Sequence, residues 1–395
     1  MATKAKEIDT GAALIERAQA LVPTLAERAV ETAALRRMPD ETFRDLRDLD
    51  LLKAARAERF GGYALGLDEV LEIVVRLGRG CGSTAWVYGI YCDHAITVGM
   101  FEPEAQDEVW GASPEAVISS GLAPSGKVER LSDGYRLDGR WQFSSGCDHA
   151  DWVFVQSIIP PASDDAGPVP AYFLLPRSDW EIDDTWFVTG LAGTGSKDIV
   201  IEDAFVPAHR MQPIAPLNTG DGPGARVNPA PIFRLPRIST VPFSLVAPAL
   251  GVLDAMIDAF VDRTSARATR GVRHAELTTV QLRLAEAAAE RDCARLLLAR
   301  ATQETMAAMR SAGKLSLEQR ARNRRDMAYI ATLLTRAADR IYTVTGASGL
   351  FDGNAMKRMF HDIRAVAAHH ITAWDIAGPT YGQVALGVEP TNPLV

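Results

Sequence analysis

The chain has 395 residues, 47% of them apolar and 23% charged, enough for two or three packed layers around a large core. A formal net charge of −8 gives no electrostatic reason to expect nucleic acid as a partner. No run of 18 apolar residues predicts a membrane span, residues 1–7 carry no apolar signal segment, and four cysteines without CxxC spacing (Cys81, Cys92, Cys147, Cys293) argue against metal or disulfide roles and fit a reducing cytoplasm.

Residues 10–112 read as helices. Ala12, Leu14, Ile15, Ala18, Leu21 and Val22 recur at helical spacing. Asp40, ahead of Glu41-Thr42-Phe43, is predicted to be an N-cap whose oxygen accepts an orphan amide. Phe60-Gly61-Gly62-Tyr63 interrupts the pattern, and a long helix resumes near Leu67. From 116 to 212 the character changes. Trp152-Val153-Phe154-Val155-Gln156-Ser157, Tyr172-Phe173-Leu174-Leu175 and Ile199-Val200-Ile201 are short β-forming runs separated by Gly and Pro, which predicts a small β-domain. From 243 to 386 the helical pattern returns. Ala249, Leu250, Leu253, Met256, Ile257 and Phe260 form an apolar stripe beside Asp254, Asp258 and Asp262, and Ser316 with Gln319 predicts a capping box. The basic runs Arg263–Arg273 and Arg320–Arg325 read first as solvated helix faces. The order predicts an α+β chain in three parts: a helical domain over 1–115, a β-domain over 116–215 and a four-helix bundle over 216–395.

Two motifs carry chemistry. Gly139-Arg140-Trp141-Gln142-Phe143-Ser144-Ser145-Gly146 reads as a strand entering a tight, hydroxyl-bearing turn, with a second strand from Trp152. Taken alone it is equally a serine-rich turn that bonds its own backbone. Further along stands Gly193-Thr194-Gly195-Ser196-Lys197-Asp198, which runs into Ile199–Pro207. In this order, between helical blocks, the pair resembles the flavin-binding β-domain of the acyl-CoA dehydrogenase fold. The Phe-Ser-Ser-Gly version resembles the two-component flavin-dependent monooxygenase branch, of the 4-hydroxyphenylacetate and secosteroid-phenol hydroxylase type. The resemblance covers nearly the whole chain and extends to Gly346-Ala347-Ser348-Gly349 and Tyr381-Gly382-Gln383.

That resemblance implies an oxygenase that takes reduced FMN or FAD from a separate NAD(P)H:flavin reductase. It forms a C4a-hydroperoxyflavin with O2 and hydroxylates a phenol-like ring ortho to its hydroxyl. It also implies a homotetramer built through the C-terminal bundle. No GxGxxG lies between a strand and a helix, in keeping with a protein that binds no NAD(P)H itself.

The resemblance also assigns roles by position. Phe143, Ser144, Ser145 and Gly146, with Thr194 and Ser196, line the flavin ring, and Ser145 is preferred over Ser144 for its N5 proton. One hydrogen bond there is worth about 1–3 kcal/mol, or roughly tenfold to hundredfold in the lifetime of the oxidant. His370, with His369 as the second choice, falls near flavin C4a; adjacent positions on a helix point about 100° apart, so at most one faces the pocket. His94 is expected to take the phenol proton and Ser120 to orient the phenol oxygen, histidine being suited by its near-neutral pKa. Arg263 and Arg267 are expected at the flavin phosphate of a neighbouring subunit, with Gly346, Ser348 and Gly349 approaching the same end. Arg270 stands where the related sequences carry an aromatic. Arg237 is read either as a contact for an acidic substrate tail or as a surface arginine.

Acyl-CoA dehydrogenation, N-oxidation of an amino sugar, indole oxidation and a flavin-free scaffold are the competing readings. The dehydrogenase needs a carboxylate base, but 238–245 holds no acid and 369–378 holds only Asp375.

Overall fold

A computed structural model describes residues 10–161 and 167–392. The first block is helical: α1 (Thr10–Leu35), α2 (Asp40–Asp48), α3 (Leu67–Gly80), α4 (Gly82–Val98) and α5 (Pro103–Trp110). The stripe read in α1 is its buried face, through Leu14, Ala18, Leu21 and Leu25. α2 starts one residue earlier than predicted. Pro39 occupies the cap, Asp40 is the first helical residue, and the Asp40 carboxylate takes Arg37 and His149 instead of a backbone amide. α4 is apolar or small apart from Asp93 and His94, and every residue of it except Ile90 is buried. A helix of that kind has no solvent face and belongs at the centre.

The middle segment forms two four-stranded sheets. One contains β1 (Ile118–Gly121), β4 (Trp152–Ile159), β5 (Val169–Pro176) and β8 (Met211–Pro213), in that spatial order, with β1 and β4 parallel. The other, all antiparallel, runs β2 (Lys127–Arg130), β3 (Gly134–Ser144), β7 (Lys197–Pro207), β6 (Glu181–Asp183). Successive residues of a strand face opposite ways. Val153, Val155, Phe173 and Leu175 therefore pack between the sheets, while Trp152, Phe154, Tyr172 and Leu174 turn into the main helical core. Burial on both faces explains why these strands read as unbroken apolar runs rather than as alternating ones.

A short α6 (Ile214–Thr219) leads to α7 (Arg237–Ala266), α8 (Thr278–Ala312), α9 (Leu317–Thr343), α10 (Ala355–Ala367) and α11 (Trp374–Ala385). By length and composition α7 is apolar enough to cross a membrane, but most of that stretch is buried inside the protein. α3 crosses α7 with Gly78 against Gly251, where an added methyl on either would strike the facing backbone. The crossing welds the first block to the C-terminal helices in one core. The predicted capping box opens α9: Gln319 N–H donates to Ser316 Oγ (3.2 Å) and Ser316 N–H to Gln319 Oε1 (3.1 Å). The segment after Arg267 is not helical. It is a two-residue-stranded hairpin, β9 (Ala268–Thr269) and β10 (Val272–Arg273), with Arg270 and Gly271 at its tip in left-handed conformation (φ 52° and 81°).

Candidate active site

The strand β3 ends in an irregular register against β7 between Trp141 and Ser144, a bulge that re-aims the turn. Phe143 sits there at φ 65°, a conformation costly for a bulky residue, and its ring is 62% exposed beside Trp186. Gly146 follows at φ 72°; a Cβ there would lie 2.7 Å from Tyr91 Oη and 2.8 Å from Val87. Tyr91 Oη donates to Gly146 O (2.6 Å), and Gly146 N–H donates to Thr194 O (2.9 Å). The two motifs separated in sequence are thus one structure.

Their hydroxyls form a continuous row. Trp86 Nε1 lies 3.1 Å from Ser145 Oγ, Ser145 Oγ lies 2.7 Å from Ser196 Oγ, and Ser196 Oγ lies 2.7 Å from Thr194 Oγ1. Thr194 Oγ1 ends the row on Leu191 O at 2.8 Å. Leu191 N–H in turn donates to Asp362 Oδ1 of α10 (2.6 Å), and burial raises that carboxyl to a pKa of about 6. The neighbouring Ser144 Oγ is fully buried and has no partner among the described residues.

Two turns further along α4 from Trp86 stands His94. Its Nδ1 is 2.7 Å from Ile118 O and its Nε2 is 2.9 Å from Ser120 Oγ. A carbonyl only accepts, so Nδ1 carries the proton and Ser120 O–H donates to a bare Nε2. Burial pushes the His94 pKa down to about 4, so the ring is neutral at pH 7. Phe154 meets the ring edge-on at 4.8 Å, and Tyr172 and Phe101 pack against Phe154. Arg237 is neither on the surface nor open to a substrate tail. It is buried, and both terminal nitrogens are fixed on Asp93 (2.6 and 2.5 Å). Reading sequence alone missed this because an Arg–Asp pair far apart in the chain leaves no local pattern.

The histidine pair does not lie on a helix. α10 stops at Ala367, and His369 caps the 3-10 turn His370–Thr372, its Nδ1 accepting from Ile371 N–H (3.3 Å). The rings stack at 5.0 Å. His369 is the inner one, 6.1 Å from the Trp86 ring, with its pKa lowered to about 4 chiefly by burial. His370 is exposed. Of the two, His369 is the ring that neighbours Trp86, whose Nε1 bonds Ser145.

Three comparisons bear on this arrangement. The model of the acyl-CoA dehydrogenase C-terminal domain family matches residues 243–374. The chain is 35% identical over 388 residues to the oxygenase component of an FADH(2)-dependent resorcinol hydroxylase from Rhizobium sp. (strain MTP-10005), covering 95% of each chain. It is 30% identical to the p-hydroxyphenylacetate 3-hydroxylase oxygenase component of Acinetobacter baumannii, covering 98% of this chain and 92% of that one. The crystal structure of the HsaA monooxygenase from M. tuberculosis superposes with a TM-score of 0.92 at 32% identity, covering 98% of this chain and all of the other.

The chain belongs to the two-component flavin-dependent monooxygenases, as an oxygenase component.

The oxygenase has the acyl-CoA dehydrogenase-like fold and works with reduced flavin. Its residues fit that cofactor. The row of hydroxyls, the unpartnered Ser144 Oγ and the glycine turn at Gly146 offer polar groups and close backbone approach. A second cluster lies at the far end of α7. Arg263 donates to Ser348 Oγ, and Arg267 Nη1 donates to Thr345 O (3.2 Å), beside the Gly346 turn. Phe260, Thr264, His274 and Met356 line the same hollow. The arginines and the Gly346–Gly349 turn are thus brought together, while Arg270 stands on the hairpin tip. Sequence reading overlooked Trp86 and Tyr91. Each lies on the same helix as His94, and that helix's uniform burial hid which face carries function.

Proposed function

We propose that this oxygenase hydroxylates a phenol at the carbon ortho to its hydroxyl. The observation that carries the reading is the direction of the His94–Ser120 bond. Because Ser120 gives its proton to His94 Nε2, its oxygen keeps lone pairs with which to accept a phenolic O–H. Phe154 and Tyr172 supply an aromatic wall beside that oxygen.

Reduced flavin, when bound, supplies the two electrons that activate O2. The protein's part is to orient, to keep dry and to manage protons. Ser145 would accept the hydrogen on flavin N5, and neutral His369, whose Nδ1 accepts from Ile371 N–H, would offer its Nε2–H as a donor. Full transfer of a phenol proton, from a pKa of about 10 to a histidine of about 4, costs roughly 8 kcal/mol. His94 is therefore a hydrogen-bond acceptor in the resting complex and not a base that holds the proton. As the ring loses electrons to the incoming oxygen, the phenol acidifies. Its proton then passes to Ser120 while Ser120's passes to His94.

The homotetramer is part of this proposal. Leu282, Leu296, Leu350, Phe351, Trp374 and Leu386 leave apolar surface exposed on the C-terminal helices and their connections. A separate reductase delivers the flavin. Dehydrogenation is disfavoured: Asp375 is exposed, and buried Asp362 is engaged by Leu191 N–H.

The test is a single turnover of protein, chemically reduced flavin and 18O2 with a panel of phenols, their methyl ethers, indole and acyl-CoAs. An ortho-diol carrying one labelled atom is expected from phenols alone. Equal oxidation of the methyl ethers, or turnover of acyl-CoA with an electron acceptor, overturns the reading.

A further inference from the structure

The row of hydroxyls has only one possible direction. Leu191 O accepts and cannot donate, so Thr194 must spend its single hydrogen on it. Ser196 must then donate to Thr194, and Ser145 must donate to Ser196. Trp86 Nε1–H, a donor only, fills one lone pair of Ser145. Each member is at least nine-tenths buried, so bulk water does not compete for these hydrogens. What remains on Ser145 is one lone pair and no hydrogen.

We propose that Ser196 and Thr194 set the direction of the Ser145 hydroxyl and thereby make this site prefer reduced over oxidised flavin. The inference rests on the reading above, that Ser145 faces flavin N5. In reduced flavin N5 bears a hydrogen and donates, which suits a Ser145 that only accepts. In oxidised flavin N5 is a bare acceptor, and the same Ser145 sets lone pair against lone pair. Neither Ser196 nor Thr194 needs to touch the cofactor; both are positioning residues that act through Ser145. Asp362, holding Leu191 N–H, fixes the carbonyl on which the row ends.

The test is binding, without turnover. The full-length protein is titrated anaerobically with photoreduced flavin and separately with oxidised flavin, and the ratio of the two dissociation constants is taken. In Ser196→Ala the Ser145 hydrogen has no internal acceptor and turns toward the cofactor. In Thr194→Val, Ser196 is released to donate back to Ser145, with the same result. Each variant is expected to lower the ratio of oxidised to reduced Kd roughly tenfold, mostly through tighter oxidised binding, the size of one hydrogen bond made or refused. Thr194→Ser keeps the hydroxyl and is expected to keep the wild-type ratio. A merely structural role weakens both redox forms together. An unchanged ratio in Ser196→Ala and Thr194→Val, with wild-type protein still holding reduced flavin, overturns this inference alone. Wild-type protein that holds neither form overturns the flavin reading and this inference with it.

Discussion

Ser120 and His94 meet in an arrangement in which every hydrogen is accounted for, and that makes their roles separable. Ser120→Ala leaves Nε2 without its donor and removes the lone pairs offered to a phenol. Hydroxylation per turnover is expected to fall by about a hundredfold or more, the lower end of the range for a positioned proton-transfer group, with hydrogen peroxide appearing instead. Quantifying diol and peroxide from the same reaction checks this. The two stacked histidines are distinguished in the same assay. His369→Asn is expected to raise peroxide release, whereas exposed His370→Asn should alter it little. The acid side of the pH profile follows from burial. His94 and His369 have folded pKa values of about 4, below the 6.5 of a free histidine. The unfolded chain therefore binds more protons between those limits. The stabilisation from keeping both rings neutral is complete above about pH 6.5 and is lost as the pH falls toward 4. Coupled hydroxylation should accordingly be flat from pH 6.5 to 8 as far as these rings control it, and fail toward pH 4.

At the scale of elements, the site depends on connections between segments that are distant in sequence. Gly146 sits where β3 turns under α4, and both its backbone conformation and Tyr91 exclude a side chain. Gly146→Ala is expected to cost about 1–3 kcal/mol, from the left-handed conformation and the collision together. Denaturant unfolding measures the loss, and peroxide release reports the displacement of Ser145. Asp362 ties α10 to the loop before Thr194 by accepting Leu191 N–H. Its raised pKa, about 6 against 3.8, means that the folded protein binds the extra proton between those values, so its burial costs nothing below about pH 3.8, costs progressively more as the pH rises to about 6, and levels off above that. Asp362→Asn retains an accepting oxygen without the charge. It should stabilise the protein at pH 8 relative to pH 5 by on the order of 1.4 kcal/mol, read as the difference between melting curves at the two values.

Across the whole molecule, what the sequence revealed was governed by periodicity and local chemistry. The three-part order was legible because helical stripes and β-branched runs are local signals, as in α1 and in Ser316 with Gln319. The joining of Phe143–Gly146 to Thr194–Ser196 was legible through the resemblance. Trp86 was not, because α4 is buried on nearly every side and its residues look alike by burial. Arg237 was misread because its partner, Asp93, is a long-range one. The histidine pair was read as helical, but α10 stops at Ala367 and the pair lies on a 3-10 turn with His369 as the inner ring, a boundary that periodicity does not mark.

The central claim is that the Ser145 row, with His369 beside it, keeps an oxygen atom for transfer to a phenol. The most direct measurement counts hydrogen peroxide released per reduced flavin oxidised, with and without a phenol, in the wild type and in Ser145→Ala. The wild type should release little peroxide once a phenol is present, and Ser145→Ala should release severalfold more. Equal peroxide yields from the two proteins, with the phenol bound in both, would contradict the account.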